Sequence, residues 1–205
     1  MPDFTFEQAL MDRGVMRICG VDEVGRGPLA GPVYAAAVVL NPNDIPGGLN
    51  DSKKLTRPQR ERVAAEVSLR ADVALGWASV AEIDQINILQ ASLLAMARAV
   101  QNLDAPVDHV LVDGNRVPRD LNVPATPIVK GDARSLSISA ASIVAKIRRD
   151  LVMYDLAQQF PGYGWETNMG YPTQAHRDAL ADLGVTPHHR RSFKPVHNIL
   201  YQEKS

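Results

Sequence analysis

The sequence predicts an α/β protein in which a sheet of mixed strand direction carries helices and is followed by a helical C-terminal segment. Three observations lead to this fold class. Two short apolar, β-branched runs near the N-terminus are separated by a turn rich in glycine and proline, which is typical of paired strands. Further apolar runs then alternate with segments of helical periodicity. Beyond residue 160 the pattern is helical.

Each predicted element has a local signal. Short apolar runs indicate strands at residues 16–21, 33–40, 72–80, 107–112 and 127–129. Helical spacing of apolar residues indicates helices at residues 57–70, 86–103, 135–160 and 173–183. Thr56 before Arg57 and Pro58 is a typical start for the first helix, and Gly184 is a typical end for the last.

Composition indicates one globular domain. The chain has 205 residues, of which 45% are hydrophobic and 22% charged, which excludes general disorder. We expect a single domain over residues 1–205, with an α/β core at about 14–160 and a C-terminal helical segment at about 161–205. The lone Cys19 excludes an intramolecular disulfide, and the acidic N-terminal residues without an apolar run lead us to expect no secretory signal. A soluble cytoplasmic protein is therefore expected, with a monomer as the default oligomeric state.

Charge is unevenly distributed along the chain. The net charge of −1 neither indicates nor excludes a polyanionic partner. Residues 1–51 hold seven acids and three arginines, whereas residues 128–150 hold five basic and two acidic residues. Such a chain could combine metal-binding carboxylates with a phosphate-binding surface, although scattered solvated charge is the ordinary alternative.

Two adjacent acids, Asp22 and Glu23, follow the apolar run that ends at Val21. Buried carboxylates without partners are costly, and a divalent cation such as Mg²⁺ would resolve that cost. Consecutive strand residues point to opposite faces, so we expect the strand to end here, or one acid to contribute its backbone carbonyl, if both serve one site. An exposed turn with two solvated acids remains the alternative.

Two further acids follow apolar runs in the same way. Asp113 follows the run at 110–112, and Asp132 follows residues 128–129 after Lys130-Gly131. Catalytic groups in α/β folds collect at strand ends, although an Asp-Gly turn would also explain Asp113. Three strand ends that each close with an acid favour a shared metal site. Glycines on both sides of Arg26 would let backbone N–H groups approach a phosphate, although an ordinary tight turn is the commoner explanation.

Seven motifs in order resemble those of bacterial ribonuclease HII, a type 2 ribonuclease H. They run from about residue 16 to residue 195, so the resemblance covers nearly the whole chain. The motifs are Asp22-Glu23-Val24-Gly25-Arg26-Gly27, Asp51-Ser52-Lys53-Lys54-Leu55, Asp113-Gly114-Asn115-Arg116, Lys130-Gly131-Asp132, Ser139-Ala140-Ala141-Ser142-Ile143-Val144-Ala145-Lys146, Gly170-Tyr171-Pro172-Thr173 and His189-Arg190-Arg191-Ser192-Phe193.

This resemblance implies an RNase H-like fold with a five-stranded mixed sheet flanked by helices. It implies Mg²⁺- or Mn²⁺-dependent cleavage of RNA paired with DNA, and incision 5′ of single ribonucleotides in duplex DNA, with 5′-phosphomonoester products. By the same resemblance, Tyr171 stacks near the RNA–DNA junction. It further implies that the metal-binding acids are Asp22, Glu23, Asp113 and Asp132, and that the 2′-hydroxyl is sensed by Gly25, Arg26 and Gly27.

Five other side chains are candidates for contact with the duplex backbone, because lysine and serine bind phosphate oxygens without reading sequence. They are Lys53, Lys54, Ser139, Ser142 and Lys146. The last three share one face of the predicted helix, and a solvated helix face is the alternative. The family often has a basic residue where this chain has Met169, a loss for which Arg148 could compensate.

Three function classes stay open on these residues. The first is the hybrid-cleaving nuclease, and the second is a metal-dependent hydrolase of small phosphate esters. The third is a silent hybrid-binding module, which would be expected to lack some of the acids. The basic stretches argue against the second class, and the intact set of four acids argues against the third.

Overall fold

A five-stranded mixed sheet forms the centre of the protein, whose computed structural model describes residues 1–201. The strands lie in the order β3-β2-β1-β4-β5. β1 pairs antiparallel with β2 and parallel with β4, β2 pairs antiparallel with β3, and β4 pairs parallel with β5. Their bounds are β1 Ile18–Val24, β2 Val33–Val39, β3 Asp72–Ala78, β4 His109–Asp113 and β5 Ala125–Ile128. The predicted fold class is confirmed.

Helices cover both faces of the sheet and continue beyond it. Their bounds are α1 Thr5–Met11, α2 Arg57–Arg70, α3 Val80–Gln101, α4 Leu136–Gln159, α5 Trp165–Asn168, α6 Gln174–Leu183 and α7 Lys194–Tyr201. A 3₁₀ turn, Gly131–Ala133, lies between β5 and α4. No helix within residues 1–201 combines the length and apolar character needed to cross a membrane.

Strand β2 shows why this part of the sequence is a continuous apolar run. Ala35 and Ala37 belong to the core on the α3 side, with Ala95 of that helix. Ala36 belongs to the core on the α4 side, with Ala140. Both faces of the strand are therefore buried, and small side chains let the two long helices pack closely on the sheet.

Several elements differ from the sequence-based expectation. Helix α3 begins at Val80 instead of residue 86, because Ser79 and Glu82 form a capping box at its start. Asn87 has a left-handed φ of 67° inside it and divides it into two segments. Helices α1 and α5 are only 7 and 4 residues long, too short for a periodic pattern, and were not predicted.

The C-terminal segment packs onto the α/β core. Leu180 of α6 and Val196 of α7 bury against Leu29, which lies in the loop between β1 and β2. Helix α7 was not predicted, although its apolar residues have helical spacing. Residues 202–205, the end of the expected helical segment, lie outside the described residues.

Candidate active site

Strand β1 carries the first two acids past the end of its pairing with β4. The last pair in that ladder is Val21 with Val112, and β1 itself continues to Val24. The expectation that the strand ends at the acids is therefore wrong. Asp22 and Glu23 lie within the strand, at the end where the sheet opens beside β4.

Three carboxylates converge at this opening. Asp22, Glu23 and Asp113 each offer an oxygen, and these three oxygens lie within 4.8 Å of one another. Burial, together with the negative charges of Glu23 and Asp113, raises the pKa of Asp22 well above its ordinary value. Burial also raises the pKa values of Glu23 and Asp113, and Asp132 adds to the rise at Asp113.

The 3₁₀ turn after β5 holds the third carboxylate in place. Asp113 Oδ1 accepts a hydrogen bond from the Gly131 N–H at 2.6 Å and a longer one from the Asp132 N–H at 3.4 Å. The Asp132 side chain lines the same cavity, of about 230 Å³, as the other three acids. It lies outside the 4.8 Å group, and its Oδ2 is 3.9 Å from Lys53 Nζ.

These residues fit a hard divalent cation. Carboxylate oxygens are the ligands such ions prefer, and three of them already lie close enough to share one ion. Burial, followed by repulsion from the neighbouring negative charges, raises the pKa values of Asp22 and Asp113, and a bound cation would offset both effects. All four predicted acids therefore lie around one cavity, and three form the tight group.

A loop follows the acids directly. Gly25 has a φ of +97°, which favours glycine, and Arg26 Nη1 donates to Glu23 Oε1 at 3.2 Å. A Cβ on Gly27 would lie 3.3 Å from the Tyr171 ring. Tyr171 lines the acidic cavity and is 41% exposed. The structure thus brings the predicted glycine loop and the predicted stacking residue together beside the acids.

Two of the predicted backbone-contact residues on α4 lie at the cavity. Ser142 lines it and exchanges a hydrogen bond with Ser52 Oγ at 3.0 Å. Lys146 also lines it, and its Nζ donates to Asp150 at 2.6 Å.

The third α4 candidate, Ser139, departs from the expectation. It is fully buried and donates to the Asn50 carbonyl at 3.0 Å, because this part of α4 packs on the sheet and does not face solvent. The helix face predicted to carry Ser139, Ser142 and Lys146 toward the duplex is therefore buried at Ser139. Lys53 lines the cavity, and Lys54 is exposed beside it on the same turn.

Arg148 lies in the wrong place to compensate for Met169. It lines a different, largely apolar groove between α2, β3 and α4, together with Leu75 and Leu151. Met169 itself ends α5 in a left-handed conformation, and its carbonyl accepts a hydrogen bond from Arg149 at 3.0 Å. Met169 therefore contributes to this region through its backbone carbonyl.

Three buried or half-buried arginines were missed as functional candidates. Arg60 lines the cavity and donates to the carbonyls of Ser52 and Leu55, which fixes the turn that carries Lys53. Arg149 and Arg190 are fully buried beside the glycine loop. Arg190 lies in a motif that carries the family resemblance, and that was the one available signal for it.

Comparisons with known proteins identify the family of the chain. The family model described as Ribonuclease HII matches residues 19–196. The chain is 65% identical to the Ribonuclease HII of Ruegeria sp. (strain TM1040), covering 98% of this chain and 88% of the relative. It is 62% identical to that of Paracoccus denitrificans (strain Pd 1222), covering 100% of this chain and 97% of the relative.

Solved structures show the same fold. The ribonuclease H2 of Pyrococcus horikoshii OT3 superposes with a TM-score of 0.76 at 28% identity, over 90% of this chain and 97% of that one. The Bst-RNase HIII solved in complex with Mn²⁺ has a TM-score of 0.72 at 18% identity, over 91% of this chain and 70% of that one, a likeness of fold. The chain belongs to the ribonuclease HII family.

Proposed function

We propose that the four acids around the cavity are the catalytic metal ligands of a ribonuclease H. Membership of the family makes the chain a divalent-metal-dependent endonuclease that hydrolyses RNA paired with DNA. The observation that carries the proposal is the group formed by Asp22, Glu23 and Asp113, whose oxygens lie within 4.8 Å of one another beside the glycine loop.

The four acids would hold Mg²⁺ or Mn²⁺. Such ions generate hydroxide from water and stabilise the leaving oxygen in phosphodiester hydrolysis. In that reaction a water oxygen bonds to phosphorus, the bond from phosphorus to the 3′ oxygen breaks, and that oxygen takes up a proton. The products carry a 5′-phosphate and a 3′-hydroxyl.

The loop formed by Gly25, Arg26 and Gly27 would select the ribonucleotide. Only the 2′-hydroxyl separates a ribonucleotide from its DNA neighbours chemically, so selection needs hydrogen-bonding groups at that sugar. The loop is exposed at Arg26 and Gly27, immediately after the acids in the chain. We propose that it senses the 2′-hydroxyl, and that the neighbouring Tyr171 ring stacks at the RNA–DNA junction.

The duplex backbone would be held by Lys53, Lys54, Ser142 and Lys146. Lys53 and Lys146 line the cavity and supply cations, and Ser142 lines the same cavity. For Ser139 we propose a supporting role, because its hydroxyl holds the Asn50 carbonyl in the interior. An enzyme for small phosphate esters would not need these lysine side chains outside the acidic group, so they favour an extended nucleic-acid substrate.

The catalytic unit would be the whole of residues 1–205, acting as a monomer on nucleic acid in the cytoplasm. In support, the C-terminal segment supplies Tyr171 to the cavity and buries Leu180 and Val196 against the core. Cys19 is a buried free thiol, which is typical of proteins in a reducing compartment.

Cleavage of a labelled RNA–DNA hybrid tests the role of the acids. The wild-type protein should cut the RNA strand with Mg²⁺ or Mn²⁺ and leave it intact with a chelator. Asp113→Asn should lower the rate at least about 100-fold, since a neutral amide weakens the ligand set. Asp104→Asn removes the same charge from an exposed turn and should cut like the wild type. Equal rates in the two variants would refute the assignment.

A further inference from the structure

Arg190 is a fully buried arginine that donates three hydrogen bonds to one loop. Its Nη2 donates to the Gly25 carbonyl at 2.6 Å, its Nη1 to the Arg26 carbonyl at 3.1 Å, and its Nε to the Gly31 carbonyl at 2.9 Å. The residue lies between α6 and α7, about 160 positions along the chain from the loop it holds. All three acceptors are neutral backbone oxygens.

A second buried guanidinium lies beneath the same loop. Arg149 donates to the carbonyls of Ala30, Pro32 and Met169 at 3.0–3.1 Å, and a Cβ on Gly25 would overlap its side chain. Among residues 1–201 neither Arg149 nor Arg190 forms an ion pair with a carboxylate. Two positive charges therefore lie under the loop with no carboxylate of the described residues in ion-pair contact, which favours an anionic group above it.

The bonds to Arg190 determine which way the loop's N–H groups face. All peptide bonds described here are trans, so each C=O is antiparallel to the N–H of the next residue in the same plane. With the carbonyls of Gly25 and Arg26 directed at Arg190, the N–H groups of Arg26 and Gly27 face away from it. Both residues are exposed, and neither N–H has an acceptor within residues 1–201.

We infer that Arg190 is a positioning residue for substrate selection, which orients the N–H groups of Arg26 and Gly27 toward the 2′ oxygen of the ribonucleotide. The inference rests on the proposed role of the Gly25–Gly27 loop. Three fixed donors on one planar group define the orientation of two consecutive peptide planes. A lysine would keep the charge but has a single ammonium that cannot span the same three carbonyls.

The test compares Arg190→Lys with the exposed neighbour variant Arg191→Lys. Both are made in an Asp113→Asn background, so that binding is measured without cutting. Two labelled duplexes of identical sequence are used, one with a single ribonucleotide and one entirely of DNA. The ratio of their dissociation constants gives the selectivity for the 2′-hydroxyl.

We expect Arg190→Lys to lower that selectivity about tenfold or more, because small displacements of binding groups have large effects. Arg191→Lys should keep the selectivity of the background. A merely structural role, or a contact with phosphate alone, would weaken the binding of both duplexes equally, so an unchanged ratio in Arg190→Lys overturns the inference. If the background protein itself shows no preference, the proposed role of the loop fails and the inference falls with it.

If Arg190→Lys does not fold, backbone amide NMR of the Asp113→Asn protein tests whether the N–H groups of Arg26 and Gly27 contact the ribonucleotide. The Arg26 and Gly27 amide resonances should shift when the ribonucleotide duplex is added, and shift less with the DNA duplex. If neither resonance moves with either duplex, these N–H groups do not meet the substrate and the inference is wrong.

Discussion

At the scale of single residues, two glycines in one loop have different reasons to be glycine. Gly25 has a φ of +97°, and a Cβ there would overlap the buried Arg149 side chain. Gly27 lacks such strain, and its Cβ would only come within 3.3 Å of the Tyr171 ring. The first glycine is therefore needed for the loop to form, and the second for the space beside the tyrosine.

Alanine substitutions should separate these two reasons. Gly25→Ala should destabilise the protein by about 1–3 kcal/mol or more, because a side chain is strained at positive φ and collides with Arg149. Gly27→Ala should leave the free energy of unfolding nearly unchanged but displace Tyr171 and lower cleavage. Urea unfolding and hybrid cleavage, measured on both variants, check this. Equal destabilisation by both would contradict the account.

The buried acids also lead to a prediction about how the stability of the protein depends on pH. Their pKa values are raised in the folded protein, so the metal-free protein resists an ionisation that the unfolded chain undergoes near the ordinary values of 3.8 and 4.5. Stability without metal should therefore fall as pH rises above about 4. Mn²⁺ should raise the melting temperature more at pH 8 than at pH 5, and a larger rise at pH 5 would contradict this.

At the scale of elements, a chain of buried histidines connects α6 with the loop that carries Tyr171. The Thr186 N–H donates to His189 Nδ1 at 3.0 Å, so the proton of His189 is on Nε2. That atom donates to His176 Nε2 at 3.2 Å, and His176 Nδ1 donates to the Tyr171 carbonyl at 2.9 Å. Trp165 Nε1 donates to the same His176 nitrogen. The network requires both histidines to be neutral.

Acid should break this network. Burial, together with the neighbouring His176 and His188, lowers the pKa of His189 to about 3. The contribution of neutral His189 to the stability of the fold is therefore complete above pH 6.5 and is lost as the pH falls toward 3. His189→Phe should cost about 1–3 kcal/mol at pH 7, because the buried Thr186 N–H loses its acceptor.

Urea unfolding at pH 7 and at pH 5 checks the role of His189. The stability difference between the wild type and His189→Phe should narrow at the lower pH, because only the unfolded wild-type chain gains a proton at residue 189, which favours unfolding. His197→Phe, at an exposed position of α7, should behave like the wild type at both values. A difference that widens in acid would contradict the network described.

Some of the helices could be predicted from the sequence and others could not. Helices α2 and α4 were predicted within a residue, because Thr56 and Ser135 are N-caps whose signals are local. The start of α3 was missed although Ser79 and Glu82 form a recognisable capping box. Ser139 was misplaced because helical spacing shows which residues share a face but not what packs on that face.

At the scale of the whole molecule, the site depends on contacts between distant parts of the chain. Asp22 and Asp113 lie on adjacent strands, and the alternation of strands and helices was enough to predict that they meet. Arg190 reaches Gly25 from the far end of the chain, and no local pattern encodes that contact. The acidic group could thus be predicted from sequence, whereas the support beneath the glycine loop could not.

The proposed role of the four acids is to hold the metal that cuts nucleic acid at a ribonucleotide. Its most direct test is to map the cut ends of a labelled DNA duplex that contains one ribonucleotide, with Mn²⁺, for the wild type and Asp113→Asn. We predict one cut on the 5′ side of the ribonucleotide, leaving a 5′-phosphate, and no cut by the variant. Cutting at other positions, or equal cutting by the variant, would contradict the account.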